Sequence, residues 1–176
     1  IALIWVARRL IPNHRLYPVP IAEPPIAATR WPVVILLLLI LLQIVAGAFV
    51  AGLDAGMSFT PWPLMDGRFV PSFDSLTAME PVWRNLFENP MTSQFVHRMT
   101  AYTLLILAVL HALQARGTAL NKSAIVLAGL VLLQAVLGIL TLVHLVPISL
   151  ALAHQLGALF VIGHGTGHVW RASTAR

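Results

Sequence analysis

Four stretches of this chain, at about residues 31–53, 90–115, 123–143 and 147–171, are apolar over the roughly 20 residues that a helix needs to cross a bilayer core. The chain therefore folds as transmembrane helices joined by what lies between them. With 59% apolar and 10% charged residues and a mean hydropathy of +0.86, it stands far from the roughly 25% charged residues of a soluble domain. Its 176 residues accommodate four spans and one sizeable loop, and leave no room for a large soluble domain. The predicted fold class is an all-α integral membrane protein, a four-transmembrane-helix bundle with one long loop on the outer side.

Charge gives the orientation. The formal net charge is +5, but the basic residues sit at helix ends and not along one face, which argues against nucleic acid as a partner. Arg8, Arg9, Arg15, Arg30, Arg116, Lys122, Arg171 and Arg176 all fall on one side of the four-span arrangement. By the positive-inside rule that side is cytoplasmic or matrix, so loop 54–89, with five carboxylates against two arginines, faces the outer compartment. The absence of cysteine excludes disulfides, thiolate nucleophiles, iron–sulfur clusters held by thiolates and cysteine zinc sites.

Residues 1–30 are expected on the inner side. Ile1 to Leu10 reads as the last turns of a longer apolar helix closing in Arg8 and Arg9, so that a preceding part is expected; a signal peptide would place its charges before the apolar run. Five prolines between Ile11 and Arg30 predict an extended linker along the membrane surface. The bundle itself is predicted over 31–171. In the loop, apolar residues at three-to-four spacing predict a short interfacial helix over Ser75 to Phe87. Asn89-Pro90 reads as a helix start.

The spans carry an internal repeat. Leu42-Gln43-x-x-x-Gly47 in the first matches Leu133-Gln134-x-x-x-Gly138 in the third, and His97 in the second matches His154 in the fourth. The pattern predicts two helical hairpins related by a pseudo-two-fold axis. An ionisable residue inside a span is costly enough to suggest function. His97 follows Pro90 and His154 follows Pro147 by the same seven residues, which sets both imidazoles about 10 Å below the outer helix ends. Zinc would want further ligands, and no Asp, Glu or Cys lies at that depth. Haem needs two nitrogens and apolar walls, so His97 and His154 are predicted as axial ligands of one haem iron. A lone intramembrane histidine is more often a hydrogen-bonded core residue; the matched pair favours ligation. Gly47, Gly138 and Gly157 could leave room for the ring or let helices pack closely. Arg98 reads equally as a cation for haem propionates or as an interfacial snorkel.

The other histidines carry weaker signals. His111 and His168 each lie fourteen residues beyond a candidate ligand, about 21 Å further along roughly the same face, which permits a second haem; against it, both stand near basic helix ends, where histidine is tolerated. His164 lacks a partner at its depth, and His144 reads as an outer-turn residue. Met57, Met65, Met79 and Met91 lack the spacing of a copper site.

Six segments together carry a family pattern: Gly47 to Gly56 (GAFVAGLDAG), Trp62 to Gly67 (WPLMDG), Asn85 to Asn89 (NLFEN), Gln94 to Arg98 (QFVHR) with Ala101-Tyr102, Leu133 to Leu142 (LQAVLGILTL) and Leu152 to Gln155 (LAHQ). In this order they resemble haem A synthase, over about Trp31 to Trp170. Haem A synthases are similar to a tandem of two four-helix bundles, and this chain resembles the second, preceded by the tail of the first. The resemblance implies oxidation of the haem O methyl group to the formyl of haem A by successive hydroxylations with water as the oxygen source. It implies that His97 and His154 hold a haem b, with Arg98 beside them. The catalytic bundle of the family carries Glu-x-x-His-Arg; here Gln94 stands at the Glu position, so the oxidation belongs to the N-terminal half. Implied partners are haem O, membrane lipid, that N-terminal four-helix half, haem O synthase, cytochrome oxidase assembly and a second copy of the chain. The implied location is the bacterial inner or mitochondrial inner membrane. Competing readings are a di-haem b-type electron-transfer cytochrome and a haem-free assembly subunit.

Loop 54–89 is expected to fold over the outer mouth of the haem site through Trp62, Trp83, Leu86 and Phe87, bringing Arg68 or Arg84 near the propionates around a turn at Asp66-Gly67. Anchoring of these aromatics to lipid headgroups is the alternative.

Overall fold

The computed structural model describes residues 27–174, so the expectations for residues 1–26 lie outside the described part. Four long helices dominate it: α1 (Ala27–Gly52), α5 (Pro90–Gln114), α6 (Asn121–Val143) and α7 (Ile148–Thr174). Short helices α2 (Ala55–Ser58), α3 (Phe73–Leu76) and α4 (Asn85–Glu88) and a 3-10 turn at Val82–Arg84 lie between α1 and α5. All four long helices are long and apolar enough to cross a membrane. Three bounds differ from expectation by two residues or more: α1 begins four residues earlier, with Pro32 tolerated near its start, α6 begins two residues earlier, at Asn121, and α7 runs on past Arg171 to Thr174.

Local chemistry fixes the ends. Asn89 caps α5, its Oδ1 accepting from the backbone N–H groups of Met91 (3.0 Å) and Thr92 (3.4 Å), with Pro90 at the first helical position. The connection from α6 to α7 turns through Leu145 and Val146, both at positive φ (64° and 56°), a conformation unusual for a β-branched residue. The Val146 N–H donates to Thr141 O at 2.8 Å there.

The helices form a ring. α1 packs on α5 and α7, and α6 packs on the same two, so α5 and α7 face each other across the bundle. Each helix buries a stripe at alternating three and four spacing: Val33, Leu36 and Ile40 on α1; Leu104, Ala108, His111 and Ala115 on α5; Leu120, Ala124, Leu127 and Val131 on α6; Val161, Gly165, His168 and Ala172 on α7. That alternation is the seam of knobs-into-holes packing in antiparallel bundles. The central layer is Leu36, Ile40, Leu104, Ala108, Leu127, Val131 and Val161, while Ile35, Leu38, Ile106, Ile125, Leu156 and Phe160 project outward. Extended by one heptad, the same register reaches Gln43 and Gly47 on α1, His97 on α5, Gln134 and Gly138 on α6 and His154 on α7.

The loop departs from expectation in one respect. Ser75 to Phe87 is not one helix: α3 ends at Leu76, and the chain resumes as a 3-10 turn only after Pro81. Proline has no N–H for a helix interior and pushes its predecessor, Glu80, out of the helical region. Asn85 and Asn89 knot these pieces together. Asn85 Nδ2 donates to the carbonyls of Met79 (2.8 Å) and Val82 (2.9 Å), Asn89 Nδ2 donates to Ser75 O (2.9 Å), and Thr92 Oγ1 donates to Leu76 O (2.7 Å). The predicted turn is present: Asp66 and Gly67 both have positive φ, closed by paired hydrogen bonds between Met65 and Arg68.

Candidate haem site

His97 projects from the second turn of α5 and meets α1. Gln43 Nε2 lies 3.1 Å from His97 Nδ1 and 3.3 Å from its Nε2, and donates to the His97 carbonyl at 3.2 Å. Thr100 Oγ1 donates to Gln43 Oε1, which fixes the amide from its other end. A Cβ at Gly47 would stand 3.1 Å from His97 Cε1, so the ring occupies the space that glycine leaves. His154 meets α6 in a corresponding way: Gln134 Nε2 donates to the His154 carbonyl at 2.9 Å, and a Cβ at Gly138 would stand 3.1 Å from His154 Cε1.

Gln134 Oε1 and His154 Nδ1 are buried without a hydrogen-bond partner. Buried polar atoms are nearly always paired, so such orphans mark a place where a ligand or water completes the set. Neither α5 nor any other long helix carries an Asp or Glu. Two imidazoles each seated against a glycine, an orphaned ring nitrogen and no carboxylate are a donor set that fits haem iron and not a hard divalent cation. Among the described residues no group of three or more His, Asp or Glu could hold a metal ion.

Arg98 lies under the loop. It is 8% exposed and does not snorkel; Nη1 donates to the carbonyls of Pro61 and Leu64 (both 3.1 Å), and Nη2 donates to Phe59 O (2.8 Å) and Gln94 Oε1 (3.3 Å). Gln94 Nε2 donates to Phe59 O as well, at 3.1 Å. Trp62 Nε1 donates to Tyr102 Oη at 2.9 Å, and Phe69 stacks on the Tyr102 ring. Residues 59–69 are thereby fastened to α5 at Gln94, Arg98 and Tyr102, on either side of His97 in sequence. The second half of the loop is not packed in the same way: Trp83, Leu86 and Phe87 are exposed, because the asparagine knot turns its polar side inward. Arg84 pairs with Glu88 at 2.5 Å, a contact that holds the Glu88 carboxyl below the ordinary carboxylate range. The sequence reading passed over Tyr102 and Thr100 as site partners; the only signal for Thr100 was its spacing of three from His97.

The fourteen-residue spacing does bring His111 and His168 together, with a different outcome from a second haem. Their Nε2 atoms lie 2.8 Å apart in direct hydrogen-bond contact, both rings are buried, and an iron with two bonds of about 2 Å does not fit between them. His164 has a partner after all, Ser123 on α6.

Residues 1–164 match the family model described as cytochrome oxidase assembly protein, COX15-CtaA. The chain belongs to this family. Among its relatives, heme A synthase of Azorhizobium caulinodans is 54% identical over 164 residues, covering 92% of this chain and 45% of the relative. Heme A synthase of Allorhizobium ampelinum is 46% identical over 172 residues, 96% of this chain and 45% of the relative. Heme A synthase of Brucella anthropi is 54% identical over 138 residues, 76% and 38% of the two chains. The chain thus spans less than half the length of these curated relatives. No solved structure matches.

Proposed function

We propose that this chain is the haem b-binding half of a haem A synthase, with His97 and His154 as the two axial ligands of one haem. The observation that carries the reading is the paired environment of the two histidines. Each stands on one of the two helices that face each other across the bundle, with a glycine opposite its ring and a glutamine on its backbone carbonyl. The same pairing supports a pseudo-two-fold relation between the hairpins α1–α5 and α6–α7. When bound, haem b supplies a reversible one-electron centre at its iron. The protein's own residues do the rest: Gln43 and Gln134 hold the two helix turns that carry the ligands, and the loop fastened by Arg98, Gln94 and Tyr102 limits water on that side.

Oxidation of the haem O methyl group is assigned to an N-terminal half of the whole enzyme. Gln94, the residue one turn before His97, has both ends of its amide committed to Phe59 and Arg98 and cannot act as a general base. Partners of the whole enzyme are haem O, lipid and that half-bundle, with haem O synthase, the cytochrome oxidase assembly machinery and a second copy as further candidates. The acidic loop faces the outer compartment and the cationic helix ends the inner one, in a bacterial or mitochondrial inner membrane.

The test is purification of the chain in detergent with haem supplied, followed by pyridine haemochrome identification and low-temperature spectra of wild type, His97→Ala and His154→Ala. One protohaem per chain with bis-imidazole spectra, lost or made high-spin in either variant, is expected. A wild type without Soret absorbance, or two haems per chain, would overturn the assignment.

A further inference from the structure

Away from the His97–His154 layer, the basic end of the bundle holds a second polar cluster that haem ligation does not use. His111 on α5 and His168 on α7 meet through their Nε2 atoms at 2.8 Å. His168 Nδ1 lies 2.9 Å from Ser123 Oγ on α6. His164, one turn before His168 and with its ring nearly parallel to it, places Nε2 3.2 Å from Ser123 Oγ and 2.9 Å from the Ser123 carbonyl. The result is one continuous hydrogen-bonded chain, His164, Ser123, His168, His111, crossing three helices inside an apolar bundle.

The proton positions follow from donor chemistry. A carbonyl only accepts, so in the resting arrangement His164 Nε2 carries a hydrogen. Ser123 Oγ can then accept from His164 and donate to His168 Nδ1, whereupon His168 Nε2 donates to His111 Nε2. That leaves the last hydrogen on His111 Nδ1, which is buried and has no partner. The chain can also run in reverse, with His111 Nε2 donating to His168 Nε2, His168 Nδ1 donating to Ser123 Oγ, and the Ser123 hydroxyl donating to a His164 Nε2 whose hydrogen has moved to Nδ1. Both arrangements keep the three bonds between the four members; the second gives up the bond to the Ser123 carbonyl and leaves His111 Nδ1 bare. A cluster whose role was only to tie helices together would gain nothing from an unpaired final nitrogen at 2% exposure.

We propose that His164, Ser123, His168 and His111 form a proton relay between the bundle interior and its basic end, with the unpaired His111 Nδ1 as its terminus. A proton taken up at His164 Nδ1 releases the hydrogen on its Nε2 to Ser123 Oγ. The Ser123 hydroxyl hydrogen passes to His168 Nδ1 and the His168 Nε2 hydrogen passes to His111 Nε2; the His111 Nδ1 hydrogen is then given up to a water that reaches this buried atom when the nearby end of α5 opens locally. One N–H or O–H bond forms and one breaks at each member, with no change in net charge and no oxidant. The transfer advances about 6 Å along the helix axis, the rise from His164 to His168. The charged groups on the ends of the surrounding helices are Arg30, Arg116, Lys122 and Arg171, with no carboxylate on any of the four. An all-cationic setting favours passing a proton through neutral tautomers over storing it as imidazolium.

The experiment is nitrogen NMR of the chain labelled with 15N-histidine in lipid nanodiscs, comparing wild type with Ser123→Ala, Ser123→Thr and His164→Leu. Wild type and Ser123→Thr should show the ring nitrogens of His111 and His168 averaged between protonated and bare values. Ser123→Ala and His164→Leu sever the chain at different members and should slow this exchange at least tenfold, leaving each ring in one tautomer. A single fixed tautomer at His111 and His168 in wild type would overturn the relay. So would unchanged averaging in both severed variants, or a fall in melting temperature in them with no tautomer difference, which is the signature of a purely structural knot. The readout needs no haem, so it is independent of the ligation of His97 and His154.

Discussion

Replacing Gly47 or Gly138 by alanine adds a single methyl group where the structure has an imidazole. At position 47 the new carbon would stand 3.1 Å from His97 Cε1 and 3.5 Å from Nδ1; at 138 it would stand 3.1 Å from His154 Cε1 and 3.5 Å from Nε2. Carbon atoms in contact settle at about 3.5–4.0 Å, so each ring must withdraw by roughly 0.4 Å or more. Overpacking of this kind costs about 1–3 kcal/mol. The helical gain of alanine over glycine, about 0.5–1 kcal/mol, offsets part of it. A net penalty of about 1–2 kcal/mol borne by the ligand ring corresponds to about 5- to 30-fold weaker haem retention. Gly129→Ala on α6 is the matched control, since a Cβ there meets nothing within 4 Å and should only stabilise the helix. Competition of the loaded protein with apomyoglobin measures haem loss, and thermal unfolding measures stability. If Gly47→Ala and Gly138→Ala keep haem as tightly as Gly129→Ala does, the rings do not occupy the glycine gaps when haem is bound, and the fit described above is wrong.

Removing the Arg98 guanidinium as Arg98→Leu leaves the carbonyls of Pro61 and Leu64 without a donor and Phe59 O with Gln94 alone, and should destabilise the loop anchor by about 1–3 kcal/mol for each orphaned carbonyl, read as rapid proteolysis within 59–69. Arg98→Lys should rescue only in part, because an ammonium lacks the planar fork that reaches three carbonyls. Tyr102→Phe removes the acceptor of the Trp62 indole but keeps the Phe69 stack, so a smaller loss of about 0.5–1.5 kcal/mol is expected in the same assay. Asn89→Ala should cost about 0.5–2 kcal/mol as a lost cap, and more if the tie to Ser75 matters, by thermal unfolding. Glu88 has its carboxyl held low first by the hydrogen bond from Arg84, so the pair's contribution is present at neutral pH and is lost as pH falls through the depressed value. Arg84→Ala should return the Glu88 titration, followed by NMR, to the ordinary carboxylate range.

Much of the architecture was legible because hydropathy and helix punctuation act locally. The Asn89-Pro90 start and the Asp66-Gly67 turn depend on residues adjacent in sequence, and both are found as read. The depth of His97 and His154 followed from a spacing measured against prolines, and both histidines have glycines and glutamines beside them. What failed was decided between elements. Ser75 to Phe87 has helical periodicity, yet Pro81 and the asparagine knot break it, since period alone does not report where backbone donors go. Arg98 was read as a cation for haem propionates or as an interfacial snorkel; it is buried with three loop carbonyls on its Nη atoms and its Nε unpaired, and which carbonyls a loop presents is not written in residue type. His111 and His168 were placed on matching faces correctly, but only the bundle geometry sets their separation at direct contact.

The two histidine layers differ in what surrounds them, and that difference follows from residue size. Around His97 and His154 the facing positions on α1 and α6 are Gly47 and Gly138, and the ring atoms sit where side chains would otherwise be. Around His111 and His168 the seam continues with Ala115, Leu120 and Ala124, and Gly165 is met by the Ile40 side chain, so the rings are pressed into contact. One helix pair therefore carries two histidine couples a constant fourteen residues apart, one with its rings seated against glycines and one closed on itself. Were size the only determinant, enlarging Gly47 and Gly138 together should convert the first layer toward the second. A doubly substituted chain that folds, loses haem and brings His97 and His154 into direct contact would show that two glycines, and not the histidines, decide which layer can take a cofactor.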